Sequence, residues 1–304
     1  MAKLSVLIPS RNEPFLNRTV DEVLDQATGD VQCVIMLDGA PAVEPLRDDP
    51  RILVMTNEKA RGIGAVMMQM AQAAAGKYIM KLDAHCALAK GYDEALQADC
   101  DYDWLVVPGR YQLKDDVKWT RGYGPICYLY MTYPWLCEPQ FGCGMHGKKW
   151  LGENGLEGRY FFREKRDRDI LIDDIITFQG SCYVMHRDRF IELGGVGDRY
   201  KLHQEATSIG MKVWLSGGRC VRNKKTWYAH LHKGRKHGRG YFVSKRYCMD
   251  SNRMATEYWM YNQWPERVRD ISWFVEHFWP IPGWPEDWDA EHYGRDFEWP
   301  GRKR

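Results

Sequence analysis

Five strand-length apolar runs, separated by segments of helical period, fill the first 110 positions and constrain the fold of this chain. "KLSVLIP" leads into "NRTVDEVLDQA", where Val20, Val23, Leu24 and Ala27 recur at helical spacing. "VQCVIMLDG" and "RILVMTN" are again apolar, and "GIGAVMMQMAQAAAG" forms an Ala- and Met-rich helical segment that stops at Gly76. "KYIMKLDAH" and "DWLVVPG" flank the short helical "GYDEALQA". Continuous rather than alternating apolar strands are buried on both faces. The predicted class is therefore α/β, a mostly parallel sheet with helices on both faces. Right-handed crossovers put the strand C-termini along one edge, where open α/β sheets bind ligands. Arg11-Asn12-Glu13, Asp38, Asn57 and Asp83-His85 all fall at that edge.

Asp83 and His85 end an apolar strand two residues apart. Residues i and i+2 of an extended chain point the same way, so both can reach one point beyond the sheet. A carboxylate with an imidazole suits a divalent cation, Mn²⁺ somewhat better than Mg²⁺. On spacing alone an incidental pair stays open.

Residues 111–176 break the alternation with Gly, Pro, Tyr and Trp ("GYGPICYLYMTYPW", "QFGCGMHGKKWLGENG") before the charge run "REKRDRD". They read as an excursion from the sheet, either a lid-like acceptor-binding insert or a plain irregular one. "IITFQGSCYVMHRDRFIELGG" returns to a strand and short helix. Residues 265–304 carry Trp273, Trp279, Trp284, Trp288 and Trp299 among prolines, a Trp-rich tail expected to dock by aromatic burial. The nine cysteines are odd in number and several lie in apolar runs, so reduced thiols are expected, with Cys137, Cys143 and His146 structural. No leader is read ahead of "KLSVLIPS". No apolar stretch approaches the roughly 18 residues that span a bilayer, so a soluble, cytoplasmic protein without a membrane partner is expected.

Taken in order, the motifs resemble the GT-A fold nucleotide-sugar glycosyltransferases. The similarity is strongest to family 2 and its polypeptide N-acetylgalactosaminyltransferase relatives. "SVLIPSRNE" is similar to their opening strand and nucleoside-contacting turn, which implies donor contacts at Pro9, Arg11, Asn12 and Glu13. "VIMLDG" resembles the strand whose terminal Asp, here Asp38, holds uracil or ribose. "TNEKARGIGAVMMQMAQAAAGKYIMKLDAH" resembles the segment leading into the metal strand, implying roles for Asn57, Arg61 and Gly62. Asp83-x-His85 has the form found in the polypeptide-modifying relatives. "GSCYVMHRDRFIELGG" resembles the acceptor-side strand and brings in Gly180. "KLHQEATSIGMKVWLSGGR" resembles the helix beside the reaction centre, with Gln204 binding substrate and Glu205 the catalytic candidate near the acceptor hydroxyl, a general base if transfer inverts configuration and a substrate-positioning group if it retains it. "TWYAHLHKG" resembles the strand carrying a third metal ligand, His230 by the motif with His232 as runner-up; Trp227 and Lys233 join the substrate set. The resemblance implies a UDP-sugar donor, Mn²⁺ or Mg²⁺, and transfer to a hydroxyl. It divides the chain into a nucleotide-sugar-binding half (1–110), an acceptor and catalytic half (111–248) and a docking tail (249–304).

Two departures from the family pattern stand out. The metal motif is Asp-x-His rather than Asp-x-Asp. The Gln-x-x-Arg-Trp motif of processive synthases is missing after Glu205, which favours single addition. The formal charge is only +2, yet no acidic residue occurs between Glu205 and Asp250. There, "KKTWYAHLHKGRKHGRGYFVSKRY" interleaves cations with aromatics, a recipe for nucleic-acid contact. Some soluble enzymes similar to these, notably in viruses, glycosylate hydroxymethylated pyrimidines in DNA, and DNA is the leading acceptor expected here. Protein and glycan acceptors stay open, as does a solvated basic face balanced by acids elsewhere in the fold. A non-catalytic nucleotide- or glycan-binding module is the alternative of another class. A nucleotidyltransferase fits less well, because the Lys-ending Gly-rich loop after the first strand is absent.

Overall fold

The computed structural model describes residues 3–115, 118–138, 142–152, 162–197 and 204–288. Its strands are β1 (Leu4–Ser10), β2 (Val31–Asp38), β3 (Ile52–Asn57), β4 (Tyr78–Leu82), β5 (Cys86–Leu88), β6 (Trp104–Gln112), β7 (Leu129–Met131), β8 (Cys137–Glu138), β9 (Gly142–Cys143), β10 (Gly147–Lys149), β11 (Ile172–Asp174), β12 (Cys182–His186) and β13 (Arg219–His230). Its helices are α1 (Leu16–Gln26), α2 (Ile63–Ala73), α3 (Tyr92–Gln97), α4 (Phe162–Arg166), α5 (Arg187–Glu192), α6 (Glu205–Leu215), α7 (Gly234–His237), α8 (Lys245–Met260) and α9 (Ile271–Phe278).

The main sheet runs β11-β13-β6-β12-β4-β1-β2-β3, with β5 pairing on β13. β1 to β4, β6 and β13 share one direction; β12 lies antiparallel between β4 and β6, and β5 and β11 run against β13. The sheet is thus mostly parallel, as the apolar runs imply.

Alternation along each strand makes two cores. Leu7, Val34, Met36 and Ile79 face α2, α5 and α6, with α8 and α9 packed on the same side. Val6, Ile8, Cys33, Ile35 and Met80 face α1 and α3. Neither α1 nor α2 has a side-chain cap at its start. Burial of their apolar faces, about 1.5–3 kcal/mol per large aliphatic side chain, holds them instead. The same alternation sends Lys81 to the face of Ile79, toward α6.

The described residues of the insert pack against the sheet and helices. Tyr128, Met131 and Met145 lie in the first core, and β7 pairs with β10. One expectation is corrected here: Cys137 and Cys143 form a disulfide. The β8–β9 ladder sets these two residues directly opposite each other, a register that cysteine spacing alone does not reveal. The other seven cysteines are free, six of them buried. In the tail, Trp273 stacks on His277 at 4.9 Å, and the Trp284 indole donates to the Met131 carbonyl at 2.9 Å. Trp288 packs on Trp284, while Trp279 is exposed; Trp299 lies outside the described residues. Among the described residues no helix is long and apolar enough to cross a membrane.

Candidate functional site

The chain leaves β4 at Asp83, whose backbone N–H donates to the Ser181 carbonyl at 2.9 Å. It then turns into β5, which pairs with the end of β13 so that His230 faces Cys86, and the Leu231 N–H donates to the His85 carbonyl at 3.0 Å. This pairing brings Asp83, His85 and His230 together, with one ligand atom of each lying within 4.8 Å of the others. The His230 Nε2 is 3.0 Å from Asp83 Oδ2, and the His85 Nε2 is 3.9 Å from the same oxygen. His232 is exposed, its ring 6.0 Å from that of His230, and it stands outside this converging group.

The electrostatics suit a cation. Burial pushes the His230 imidazole down to about 4, against the opposing hydrogen bond to Asp83, so it is neutral near pH 7. Burial acts against an ionised Asp83, yet the Lys81 charge and the His230 hydrogen bond hold its carboxyl well below the usual range. Two imidazoles and a carboxylate make a mixed N/O donor set that fits a divalent metal such as Mn²⁺.

Lys81, only 2% exposed, sits behind this group. Its ammonium donates to the Asp83 carboxylate and to the Gly180 carbonyl, and lies 3.6 Å from Glu205 Oε2. Glu205 opens α6, and Tyr183 donates to its Oε1 at 3.3 Å. Burial raises the Glu205 carboxyl to about 7, with Lys81 pulling the other way. Gly180 permits this approach: a Cβ there would stand 3.2 Å from Glu205 Oε2. The sequence reading passed over Lys81 as part of an apolar run. A lone cation in "YIMKLDAH" was the available signal.

These groups open on a cleft of about 1160 Å³. Pro9, Arg11, Asp38, Arg61 and Gly62 line it from the ends of β1 and β2 and the start of α2. Gly180, Gln204 and Glu205 line it from the approach to β12 and the start of α6, and Glu13, His232 and Lys233 line it too. Leu129, His146 and Gly147 bring the insert to its wall.

Three sequence candidates stand off the lining. The exposed Asn12 donates from Nδ2 to the Gly240 carbonyl at 3.1 Å. Asn57 donates to Asp38 Oδ1 at 2.9 Å. Trp227 packs under Arg121 at 4.8 Å and against Tyr111. The Asp38 carboxylate also accepts from the Arg61 N–H at 2.9 Å and the Gly62 N–H at 3.1 Å. Gly62, at φ 88°, is the N-cap that lets the chain turn into α2.

The family model for "Glycosyl transferase family 2" matches residues 5–194. The chain belongs to glycosyl transferase family 2. No curated protein matches the sequence. Among solved structures, the crystal structure of GalNAc-T7 with UDP, GalNAc and Mn²⁺ superposes with a TM-score of 0.60 at 20% identity. The match covers 79% of this chain and 45% of that one, so the chain spans under half the length of this relative. The resemblance read from the motifs therefore holds for family and GT-A-like fold. The family 2 span contains Asp83 and His85; Glu205 and His230 lie beyond it, joined to it through β5–β13 pairing and the Lys81 contact.

In this family 2 chain the basic run is not uniformly open. Lys225 pairs with Asp99 at 2.9 Å, Lys233 with Glu13 at 2.6 Å, and Lys236 and His237 with Asp115. At these positions the acid-free stretch of sequence is balanced in space. Arg239, Tyr241 and Phe242 reach the cleft, and Phe242 is 89% exposed.

Proposed function

We propose that the protein transfers a sugar from a UDP-sugar to a hydroxyl acceptor, using Mn²⁺ or Mg²⁺ held by Asp83, His85 and His230. The observation that carries this reading is the convergence of those three side chains at the C-terminal sheet edge, within reach of a cleft that Glu205 also lines. When bound, the metal supplies Lewis-acid neutralisation of the charge that grows on the leaving diphosphate. Arg11, Asp38, Arg61 and Gly62 form the donor wall in this reading, with Asn57 fixing Asp38. Glu205, raised toward pH 7, is matched to take the acceptor hydroxyl proton, and Tyr183 and Lys81 orient it. Residues 1–110 then act as the donor half and 111–248 as the acceptor half. The UDP and Mn²⁺ named for the structural neighbour support the choice of donor and metal.

For the acceptor, the finer reading is a hydroxymethylated pyrimidine in DNA. Its support is Arg239, Tyr241 and Phe242 at the cleft, with Lys245 and Arg246 beginning α8 beside them. Lys225, Lys233 and Lys236 lend less, being paired with carboxylates. The test incubates protein and Mn²⁺ with a panel of sugar nucleotides and measures UDP release with hydroxymethylated DNA, peptide or glycan present. UDP release that no acceptor stimulates, or none from any donor, overturns the proposal; stimulation by peptide or glycan alone removes DNA.

A further inference from the structure

We infer that Glu13 is the positioning residue of the metal group, fixing the His85 imidazole so that Nε2 is the nitrogen offered to a cation. The inference rests on the metal reading above and goes beyond it, since the motif resemblance assigns Glu13 to the nucleotide. β1 and β4 are neighbours in the sheet, so the residues that follow their C-termini meet. Glu13 follows β1 and His85 follows β4. The Glu13 carboxylate is buried, and its Oε2 stands 3.1 Å from His85 Nδ1. An ionised carboxylate only accepts hydrogen bonds, so the tautomer of His85 that can ligate a cation in this position carries its proton on Nδ1 and offers the Nε2 lone pair. That Nε2 faces Asp83 Oδ2 at 3.9 Å and has no hydrogen-bond partner among the described residues.

Glu13 is itself held. Lys233 Nζ lies 2.6 Å from the same Oε2, and the Phe15 N–H donates to Oε1 at 3.4 Å. His230 differs in kind. Its Nδ1 is buried with no hydrogen-bond partner, and the carboxylate on that ring is its fellow ligand Asp83, at Nε2, so Glu13 is the acid that orients a ring of the group from behind. A carboxylate behind a ligating imidazole fixes the ring and raises its basicity, and losing one typically costs 10–100-fold in metal affinity.

The test is Mn²⁺ binding by calorimetry on the full chain, without donor or acceptor. Glu13→Ala should weaken Mn²⁺ by about 10–100-fold. Glu13→Gln keeps the shape and one accepting oxygen but not the charge, so it should bind between wild type and Glu13→Ala. Adding His85→Ala to Glu13→Ala should cost little more than His85→Ala alone, because both act through one ligand. The imidazole ¹⁵N shifts of His85 should show Nδ1 protonated in wild type and a mixture of tautomers in Glu13→Gln, a readout that general loosening of the fold does not give. Wild-type Mn²⁺ affinity in Glu13→Gln, with His85→Ala defective, overturns this inference and leaves the metal site standing. No Mn²⁺ binding by the wild type overturns the metal site itself.

Discussion

His230 Nε2 and Asp83 Oδ2 lie 3.0 Å apart although 147 positions separate them in the chain. The contact exists because β5 turns back from β4 and pairs with the end of β13. It ties the N-terminal parallel strands to the C-terminal half at one point. A cation bound there bridges both halves, and ligands that bind only the folded state stabilise it.

Mn²⁺ should therefore raise the melting temperature of the wild type, and EDTA should reverse the rise. At a concentration near 100 times its Kd, the stabilisation is about 2.7 kcal/mol. His230→Ala and Asp83→Ala should each lose most of this shift in differential scanning fluorimetry. Asp83→Ala should also lower transfer by orders of magnitude. An unchanged Mn²⁺ shift in both variants would remove the site.

Glu205 gives a pH prediction. Burial raises its carboxyl to about 7, so a base at this position is mostly protonated at pH 6 and mostly ionised at pH 8. Transfer measured as kcat/KM should rise across that interval and then level. Glu205→Gln should lose this limb and fall by about 10²–10⁴-fold, the usual worth of a positioned base, with UDP affinity changed no more than a few-fold. The rise has the sign of an acid that must lose its proton; a fall over the same interval would contradict the role.

Much of this arrangement was legible in the residues, and the exceptions share a cause. The runs "KLSVLIP", "VQCVIMLDG", "RILVMTN" and "KYIMKLDAH" announced the strands because burial on both faces leaves no polar alternation. The end placement of Asp38 and Asp83 followed from parallel topology. His230 could be chosen only by motif, because its partner lies half the chain away. The pairings of Lys225 with Asp99, Lys236 with Asp115 and Lys233 with Glu13 span more than 100 positions each, so the acid-free run looked unbalanced in one dimension. Cys137 and Cys143 sit in a Gly- and Pro-rich insert without periodicity, where pairing depends on a two-residue ladder.

Asp38, assigned to the donor wall in the proposed reading, has a structural role as well. Its carboxylate accepts from the Arg61 and Gly62 N–H groups and from Asn57 Nδ2, anchoring the start of α2. Asp38→Ala leaves those donors without their partner and should cost about 1–3 kcal/mol in urea denaturation. Asp38→Asn keeps one acceptor and should cost less. If the donor wall is as proposed, KM for the UDP-sugar should rise in Asp38→Ala more than kcat falls.

Lys81 separates the metal-free from the metal-bound protein. Its ammonium is buried between the carboxylates of Asp83 and Glu205, and these two charges outweigh the burial that would otherwise lower its basicity. Lys81→Met matches its length but removes the charge. Two carboxylates then share a poorly solvated site without their cation, and breaking such a buried pair costs about 3–5 kcal/mol. In EDTA the variant should melt well below the wild type. The Glu205 carboxyl, no longer pulled down by Lys81, should move above 7, carrying the pH limb of transfer upward with it. Mn²⁺ changes the balance, because it brings positive charge to the same Asp83 carboxylate. The rise in melting temperature on adding Mn²⁺ should thus be larger in Lys81→Met than in wild type, with Mn²⁺ held saturating for both. A stabilisation that is equal or smaller in the variant would mean that Lys81 does not stand in for cationic charge at Asp83. Its burial would then serve packing and the hydrogen bond to the Gly180 carbonyl alone.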